Sequence, residues 1–177
     1  MFDYTAPDKA HCALMTVDAQ CDYVLSDSPV RSAQAASACE PLGTLVQGAR
    51  AAGVPIVHQV RLYRPDASNV DLCRRRAVEE GMRVLMPGTH GAELLPEVAP
   101  EAGSRLLDPH LLMDGQVQPL GPQEAVIYKP RWGGFYETPL QAWLAAREIT
   151  TVIVAGFNFP TAGRATVLEA SERDYRV

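Results

Sequence analysis

The sequence has little positive charge. Its 16 lysines and arginines are outnumbered by 21 aspartates and glutamates, which leaves a formal net charge of −5. This balance argues against binding to a nucleic-acid backbone, which needs an excess of cationic side chains. One basic cluster, Arg74-Arg75-Arg76, is followed by Glu79 and Glu80, and this pattern is typical of a solvated helix face.

Cysteine motifs and long apolar runs are also lacking. The four cysteines, Cys12, Cys21, Cys39 and Cys73, form no CxxC or Cys/His pattern, so we expect free thiols and no metal. The sequence has no glycine-rich dinucleotide fingerprint and no phosphate loop, so we expect no cofactor. No apolar run approaches the ~20 residues that a bilayer crossing needs. By default we expect a cytoplasmic protein that does not bind membranes.

What the sequence does contain is a set of short apolar runs bounded by turn-forming residues. They cover residues 12–17, 54–60, 125–128 and 151–155, and their near-continuous apolarity predicts strands buried on both faces. Helical patterns lie between or after them, at residues 42–52, 139–147 and 165–174, with a short helix predicted within residues 70–81. This alternation predicts a three-layer α/β/α sandwich with a mainly parallel sheet.

The length of 177 residues favours a single domain over residues 1–177. Residues 64–123 are rich in proline and glycine and weakly periodic, and we expect them to shape a ligand pocket. The closing segment Tyr175-Arg-Val177 resembles the first residues of another strand. We therefore expect the last strand and helix of a doubly wound domain to be missing from this sequence.

Residues able to do chemistry follow three of the predicted strands. Asp18, Gln20 and Asp22 follow the first, Lys129 follows the third, and a sharp turn containing Ala162 follows the fourth. Because the carboxyl ends of parallel strands meet at one edge of the sheet, we expect these residues to converge on an active site. The turn has the geometry of a nucleophile elbow, with a methyl group where the nucleophile would lie.

Four segments follow one another along the chain. They are the Asp-x-Gln-x-Asp motif at 18–22, the Pro-Gly-Thr stretch at 86–94, the lysine loop Lys129-Pro-Arg-Trp-Gly-Gly-Phe-Tyr-Glu-Thr-Pro139, and the elbow, whose position 162 lies six residues after Gly156. In this order they resemble the isochorismatase-like hydrolase family, and in particular its cysteine hydrolase branch.

The resemblance implies a catalytic role for three positions. Asp18 would accept a thiol proton, Lys129 would be its charge partner, and position 162 would carry the nucleophile. Backbone N–H groups at the elbow would hold the oxyanion, and a cis peptide bond would fall near Phe157-Asn158.

The alanine at position 162 leaves three hypotheses open. In the first, the natural protein has a cysteine there and cleaves a C–N bond of a small amide through a thioester, and Ala162 is a replacement. In the second, alanine is native and Asp18 protonates a vinyl ether, as in the true isochorismatases that lack the cysteine. In the third, the domain binds a ligand or partner without chemistry. Cys21, close to Asp18, is a further candidate nucleophile.

Residues around these segments are candidates for binding a small-molecule substrate. They are Gln20, Trp132, Phe135, Tyr136, Phe157, Asn158 and Arg164. Some relatives with nicotinamidase-like activity hold zinc through a histidine pair after the second strand. Residues 59–66 contain no such pair, so we expect no metal. By resemblance, we expect a homodimer or homotetramer.

Overall fold

The computed structural model describes residues 3–100 and 106–177. Its centre is a five-stranded sheet with the strand order β3-β4-β2-β1-β5. The strands are β1 (Cys12–Val17), β2 (Ile56–Val60), β3 (Gln118–Gly121), β4 (Glu124–Tyr128) and β5 (Thr151–Gly156). β1 is parallel to β2 and to β5, β2 is parallel to β4, and β3 is antiparallel to β4. The prediction of a mainly parallel sheet is confirmed.

Helices pack on both faces of this sheet. The face that carries Leu14 and Ile56 belongs to the same hydrophobic cluster as buried residues of the first two helices, and the face that carries Met15 and Val57 packs with the last two. The helices are α1 (Ala33–Ala51), α2 (Leu72–Glu79), α3 (Pro109–Met113), α4 (Leu140–Ala145) and α5 (Arg164–Ser171). The three-layer α/β/α fold is therefore confirmed.

Helix α1 begins earlier than the sequence pattern predicts. Its first residue is Ala33, and the Ser32 hydroxyl caps the helix by accepting the Ala35 N–H at 3.4 Å. Pro41 therefore lies inside the helix and not in its first turn. An interior proline removes one hydrogen bond and costs about 3 kcal/mol, and burial of Leu42 and Val46 against the sheet offsets this cost.

The sequence pattern does not predict two elements that lie within residues 64–123. Strand β3 contains Pro119 and ends at Gly121, and it is tolerated because it pairs on one side only, at the edge of the sheet. Helix α3 is short, and the Asp108 carboxylate accepts the N–H groups of His110 and Leu111 at its start. The short helix predicted within 70–81 is α2. Residues 101–105 of this region lie outside the described residues.

At the edge of β5, the chain returns to the sheet. Arg176 forms a parallel bridge to Thr151, its N–H donates to the Thr150 carbonyl at 3.0 Å, and its carbonyl accepts the Val152 N–H at 2.8 Å. The pairing is an isolated bridge at the edge of β5. Across residues 3–100 and 106–177, no helix combines the length and apolarity needed to cross a membrane.

A charged network crosses the buried sheet at His58. Its Nδ1 lies 2.7 Å from the Thr16 hydroxyl and its Nε2 lies 2.7 Å from Glu124, which also binds Arg50 at 2.6 Å. Burial lowers the pKa of His58, against the opposing effect of Glu124. Burial alone would raise the pKa of Glu124, but hydrogen bonds from Arg50 and His58 outweigh it and bring the pKa to about 2. Because its pKa is lowered from 6.5, His58 is neutral at pH 7. Its proton lies on Nε2, since the Glu124 carboxylate can only accept a hydrogen bond.

We predict that the free energy of unfolding falls in two steps as the pH is lowered. Below a pH of 6.5, the usual pKa of histidine, the unfolded chain takes up a proton at His58 that the folded chain does not. As the pH falls from 4.5 towards about 2, the folded state loses the stabilisation of ~3 kcal/mol that the lowered pKa of Glu124 provides. Urea denaturation at a series of pH values measures both steps.

Glu124→Gln is the matched control for the second step, because it keeps the side-chain shape and removes the charge. We expect the variant to be less stable than the parent at neutral pH and to lose that part of the acid dependence. If parent and variant lose stability in parallel below the usual glutamate pKa, the role assigned to this network is wrong.

Candidate active site

The candidate site lies at the carboxyl ends of the four parallel strands. Asp18 follows β1, Arg61 follows β2, Lys129 follows β4, and the elbow with Ala162 follows β5. All four residues line one narrow pocket. Parallel strands bring residues that are far apart in sequence to one edge, and open α/β sheets bind their ligands there.

Asp18 and Lys129 form a buried ion pair. The Lys129 Nζ lies 2.7 Å from the Asp18 Oδ1, although β2 separates their two strands in the sheet. The other carboxylate oxygen, Oδ2, accepts a hydrogen bond from the Asn158 side chain at 3.0 Å. Burial lowers the pKa of Lys129, and the attraction to Asp18 opposes that shift. Among the described residues, Lys129 Nζ has no partner other than Asp18.

The backbone around Asp18 and Asn158 is left-handed, with φ values of 56° and 54°. Aspartate and asparagine tolerate this region better than most residues. The chain at Gly156 also has a positive φ, and a Cβ there would lie 2.2 Å from the Val17 carbonyl oxygen. Only glycine lets β5 approach β1 this closely. No cis peptide bond occurs in the described part of the chain, so the prediction of one near Phe157-Asn158 is wrong.

Ala162 lies at the inner end of the elbow. A short π-helix, Phe159–Gly163, leads directly into α5, and the Ala162 side chain is buried against the pocket. The N–H groups of Thr161 and Ala162 both donate to the Asn158 carbonyl at 3.0 Å. The expected oxyanion donors at the elbow are therefore already engaged, because the helical turn directs them back along the chain. The available donors that face the pocket belong to side chains.

A buried threonine ties the elbow to the loop after β4. The Thr166 hydroxyl donates to the Ala162 carbonyl at 2.8 Å and accepts the Gly134 N–H at 3.0 Å. Glu169 accepts the N–H of Phe135 at 2.8 Å in the same contact region. Two adjacent glycines permit this close packing, since a Cβ at Gly133 would lie 2.2 Å from the Glu169 carboxylate and a Cβ at Gly134 would lie 2.3 Å from the Gln59 amide.

The Asp-x-Gln-x-Asp motif has one residue in the site and two that support it. Gln20 is fully buried, and its amide binds the backbone of Arg61 and the Ala92 carbonyl, so the predicted contact with substrate is not available to it. Asp22 accepts the Leu85 N–H and packs against Gly91. Both side chains hold the surrounding loops, and Asp18 alone of the three lines the pocket.

The predicted substrate-binding aromatic residues fall into two groups. Trp132 lines the pocket, and Tyr136 lies with it on an outer groove of about 470 Å³. Phe135 packs in the core beneath α4 and α5, and Phe157 packs in the core on the opposite face, against Tyr23. Their side chains turn inward because the segments on which they lie cover the sheet. Neither side chain lines the pocket that contains Ala162, although Phe157 lines a separate pocket with Asn158 and Phe159.

Asn158 and Arg164 are the other two predicted substrate-binding residues. Asn158 lines the pocket and donates a hydrogen bond to Asp18. Arg164, the first residue of α5, is exposed and lies away from the pocket lining.

Sequence reasoning missed five residues that line the pocket. They are Tyr23, Tyr63, Arg61, Arg74 and Thr161. Arg61 directly follows a strand of the parallel sheet, so the rule that identified Asp18 and Lys129 also applies to it. Arg74 belongs to the basic cluster interpreted as a solvated face, yet it reaches the hydroxyls of Tyr23 and Tyr63.

The pocket is small in this structure. Its volume is about 10 Å³, which is room for roughly one water molecule. Trp132, with 42% of its surface exposed, lies between this pocket and the outer groove. A substrate that reaches Ala162 must therefore displace the indole or another wall of the pocket.

No cysteine or histidine side chain lines this pocket. Cys21 does not line the pocket, and burial raises the pKa of its thiol to about 11, so it is a poor nucleophile at neutral pH. His58 is engaged in the sheet with Thr16 and Glu124. Within the described ranges, no three histidine, cysteine or acidic side chains cluster as metal ligands would.

The fold and the site define a three-layer α/β domain with an ion pair and an elbow at the carboxyl ends of its parallel strands. The chain belongs to the isochorismatase family: the family's model, described as "Isochorismatase domain", matches residues 12–177. The resemblance noted in the sequence is confirmed.

Comparisons with individual proteins agree with this assignment. The chain is 28% identical over 149 residues to ureidoacrylate amidohydrolase RutB of Methylorubrum extorquens, covering 77% of this chain and 52% of that protein. It thus spans about half the length of this curated relative. It is 25% identical over 164 residues to "Probable inactive nicotinamidase" of Arabidopsis thaliana, covering 92% of this chain and 74% of the relative.

Solved structures show the same fold. An isochorismatase family protein from Desulfovibrio vulgaris superposes with a TM-score of 0.77 at 28% identity, covering 93% of this chain and 76% of its own. N-carbamoylsarcosine amidase from Thermoplasma acidophilum superposes with a TM-score of 0.69 at 24% identity, covering 93% and 78%. The second likeness shows the fold alone.

We predict that Asp18 and Lys129 are strongly coupled in stability. Lys129→Met leaves a buried carboxylate without its cation, and loss of one partner of a buried pair costs ~3–5 kcal/mol. The double variant Asp18→Asn, Lys129→Met removes both charges and should cost less than the sum of the two single changes. Chemical denaturation of all four proteins gives the coupling energy. Additive single effects would mean that the pair does not hold the site together.

Proposed function

We propose that this domain is the scaffold of a cysteine hydrolase that cleaves a C–N bond of a small amide. In this chain Ala162 occupies the nucleophile position, so the chain as written is inactive in that reaction. The observation that carries the proposal is the buried Asp18–Lys129 ion pair, with 2.7 Å between its charged atoms, in the same pocket as Ala162. A base, a cation and an elbow position share one small volume.

The geometry supports a defined role for each group once a thiol stands at position 162. The Asp18 carboxylate would take the thiol proton, and the sulfur would attack the amide carbonyl. The C–N bond would then break as the leaving nitrogen takes up a proton, which leaves a thioester for water to hydrolyse. The Lys129 Nζ has hydrogens that no described protein group accepts, so it is the donor best placed to stabilise the negative oxygen.

The ion pair favours this role of Asp18 over that of a general acid. A vinyl-ether hydrolysis would require a proton on a carboxylate that faces an ammonium at 2.7 Å and an amide donor at 3.0 Å. Base catalysis uses the pair in the charge state that its contacts stabilise. The isochorismatase-type reaction is therefore the second candidate.

The curated relatives support a C–N substrate in general terms. One is named as an amidohydrolase. Another is named as a probable inactive nicotinamidase, which is in keeping with a homologue that binds a ligand without chemistry. The identity of residue 162 decides between these outcomes because a methyl group supplies no nucleophile.

The test is to compare this chain with its Ala162→Cys variant. Each is incubated with small primary and secondary amides and with isochorismate, and ammonia or amine release and loss of the enol ether are followed. We expect amide cleavage in the variant only, faster than in the parent by at least ~10³-fold, since loss of a nucleophile costs at least that factor in other hydrolases.

Two controls separate catalysis by the assembled site from the intrinsic reactivity of an introduced thiol. Ala162→Cys combined with Asp18→Asn should lose most of the gained activity, because the proton acceptor is neutral. Ala162→Ser tests whether any hydroxyl suffices, and we expect little activity from it. Enol-ether loss in the unmodified chain would favour the isochorismatase-type reaction, and inactivity of every variant would favour a binding protein.

We also propose that the chain forms a homodimer or homotetramer. Leu72, Trp132 and Tyr136 expose large apolar surfaces around the outer groove, and Leu72 is 82% exposed. Apolar side chains grouped in this way are typical of surfaces that associate. Light scattering of the purified chain gives its mass directly, and a monomer at micromolar concentration would refute this proposal.

A further inference from the structure

Arg61 is a buried charge for which the proposed reaction has no use. Its side chain is 3% exposed and lines the pocket that contains Ala162. One terminal nitrogen, Nη2, binds Asp71 at 2.6 Å and lies 3.4 Å from the Tyr63 hydroxyl. The nitrogens Nε and Nη1 have no partner among the described residues. A buried guanidinium with open donors is costly unless a ligand satisfies them.

The charges around the pocket do not balance. Three cations, Arg61, Arg74 and Lys129, line it together with the single carboxylate of Asp18. Asp71 contributes a second carboxylate through its bond to Arg61, so one positive charge remains uncompensated.

The two pocket tyrosines do not supply the missing negative charge. Burial raises the pKa of both Tyr23 and Tyr63. Their hydroxyls therefore stay neutral at physiological pH and act as hydrogen-bonding groups. A negatively charged ligand in the pocket would compensate the remaining positive charge.

The guanidinium is held in place before any ligand arrives. The Gln20 amide oxygen accepts the Arg61 backbone N–H at 2.8 Å, and the Gln20 amide nitrogen donates to the Arg61 backbone carbonyl at 2.9 Å, so the main chain at Arg61 is fixed. The charged group also lies over the Tyr63 ring, 5.1 Å from its centre. A donor fixed in this way loses little entropy when it binds an anion.

We propose that Arg61, assisted by Arg74, binds a carboxylate of the substrate, so that the cleaved amide belongs to a small amide acid. This inference rests on the proposed function for the scissile bond and adds the substrate's charge. A carboxylate suits a narrow pocket because it is flat and accepts several N–H donors. The bond to be cleaved would then lie between the Arg61 end of the pocket and position 162.

The test uses matched ligands that differ in one charge. Succinamate and succinamide form one pair and malonamate and malonamide a second, and calorimetry measures the binding of each to the present chain. Ala162 prevents turnover, so affinity is read without catalysis. We expect the carboxylate to bind at least about tenfold more tightly than its neutral partner in at least one pair, as expected for a charge-assisted hydrogen bond.

The variants separate recognition by Arg61 from a loss of folding. Arg61→Gln combined with Asp71→Asn removes both members of the ion pair, and we expect the preference for the anion to disappear. Asp71→Asn alone keeps the guanidinium and should retain or increase that preference. Arg76→Gln, on the same helix as Arg74 with a side chain that is 88% exposed, should change nothing. Thermal denaturation confirms that each variant is folded.

The possible results distinguish this proposal from the proposed function. Equal affinity within both pairs, no binding of either carboxylate at millimolar concentration, or a preference that survives loss of Arg61 overturns the carboxylate site. If Ala162→Cys cleaves neutral and acidic amides equally well, the hydrolase assignment stands and the carboxylate site falls. An Arg61-dependent preference without any cleavage by Ala162→Cys supports the site and contradicts the hydrolase.

Discussion

The Asp18–Lys129 ion pair is the interaction on which the rest of the site depends. Two charges are buried at the ends of strands that are not neighbours, and they meet at 2.7 Å across the end of β2. Removing such charges from water costs several kcal/mol each, which only a close partner and further hydrogen bonds repay. Asn158 supplies one of those bonds and belongs to the turn that positions Ala162. The pair therefore couples three strands and the elbow into one unit.

The same edge of the sheet carries more positive than negative charge, and this excess gives the pocket its chemical character. Two uncharged side chains hold this edge in position without neutralising its charge. Gln20 binds the backbone of Arg61, and Thr166 binds the backbone of the elbow. In such surroundings a thiol introduced at position 162 would face cations as well as the Asp18 carboxylate. The Ala162 side chain supplies no reactive atom, and the ion pair and the hydrogen bonds of the elbow are formed around it.

Much of this arrangement follows from the sequence, and its failures have physical causes. Apolar runs bounded by turns predict the parallel strands, and the residues just after them include Asp18 and Lys129. Sequence spacing does not say which way a side chain turns at a strand end, so Phe157 was assigned to the site although it packs in the core. The sequence does not single out Arg61, because only the fold shows that its guanidinium turns into the pocket and away from solvent. Strand β3 was missed because Pro119 is tolerated only through its place at the sheet edge.

The most direct test of the central claim is the pKa of the thiol introduced by Ala162→Cys. It is measured from the thiolate absorbance or from the rate of alkylation as a function of pH, with Lys129→Met in the same background as the comparison. The account predicts a pKa below the ordinary value of about 8.5 and a rise when Lys129 is removed. A thiol that titrates at or above that value, and does not respond to Lys129, would contradict it.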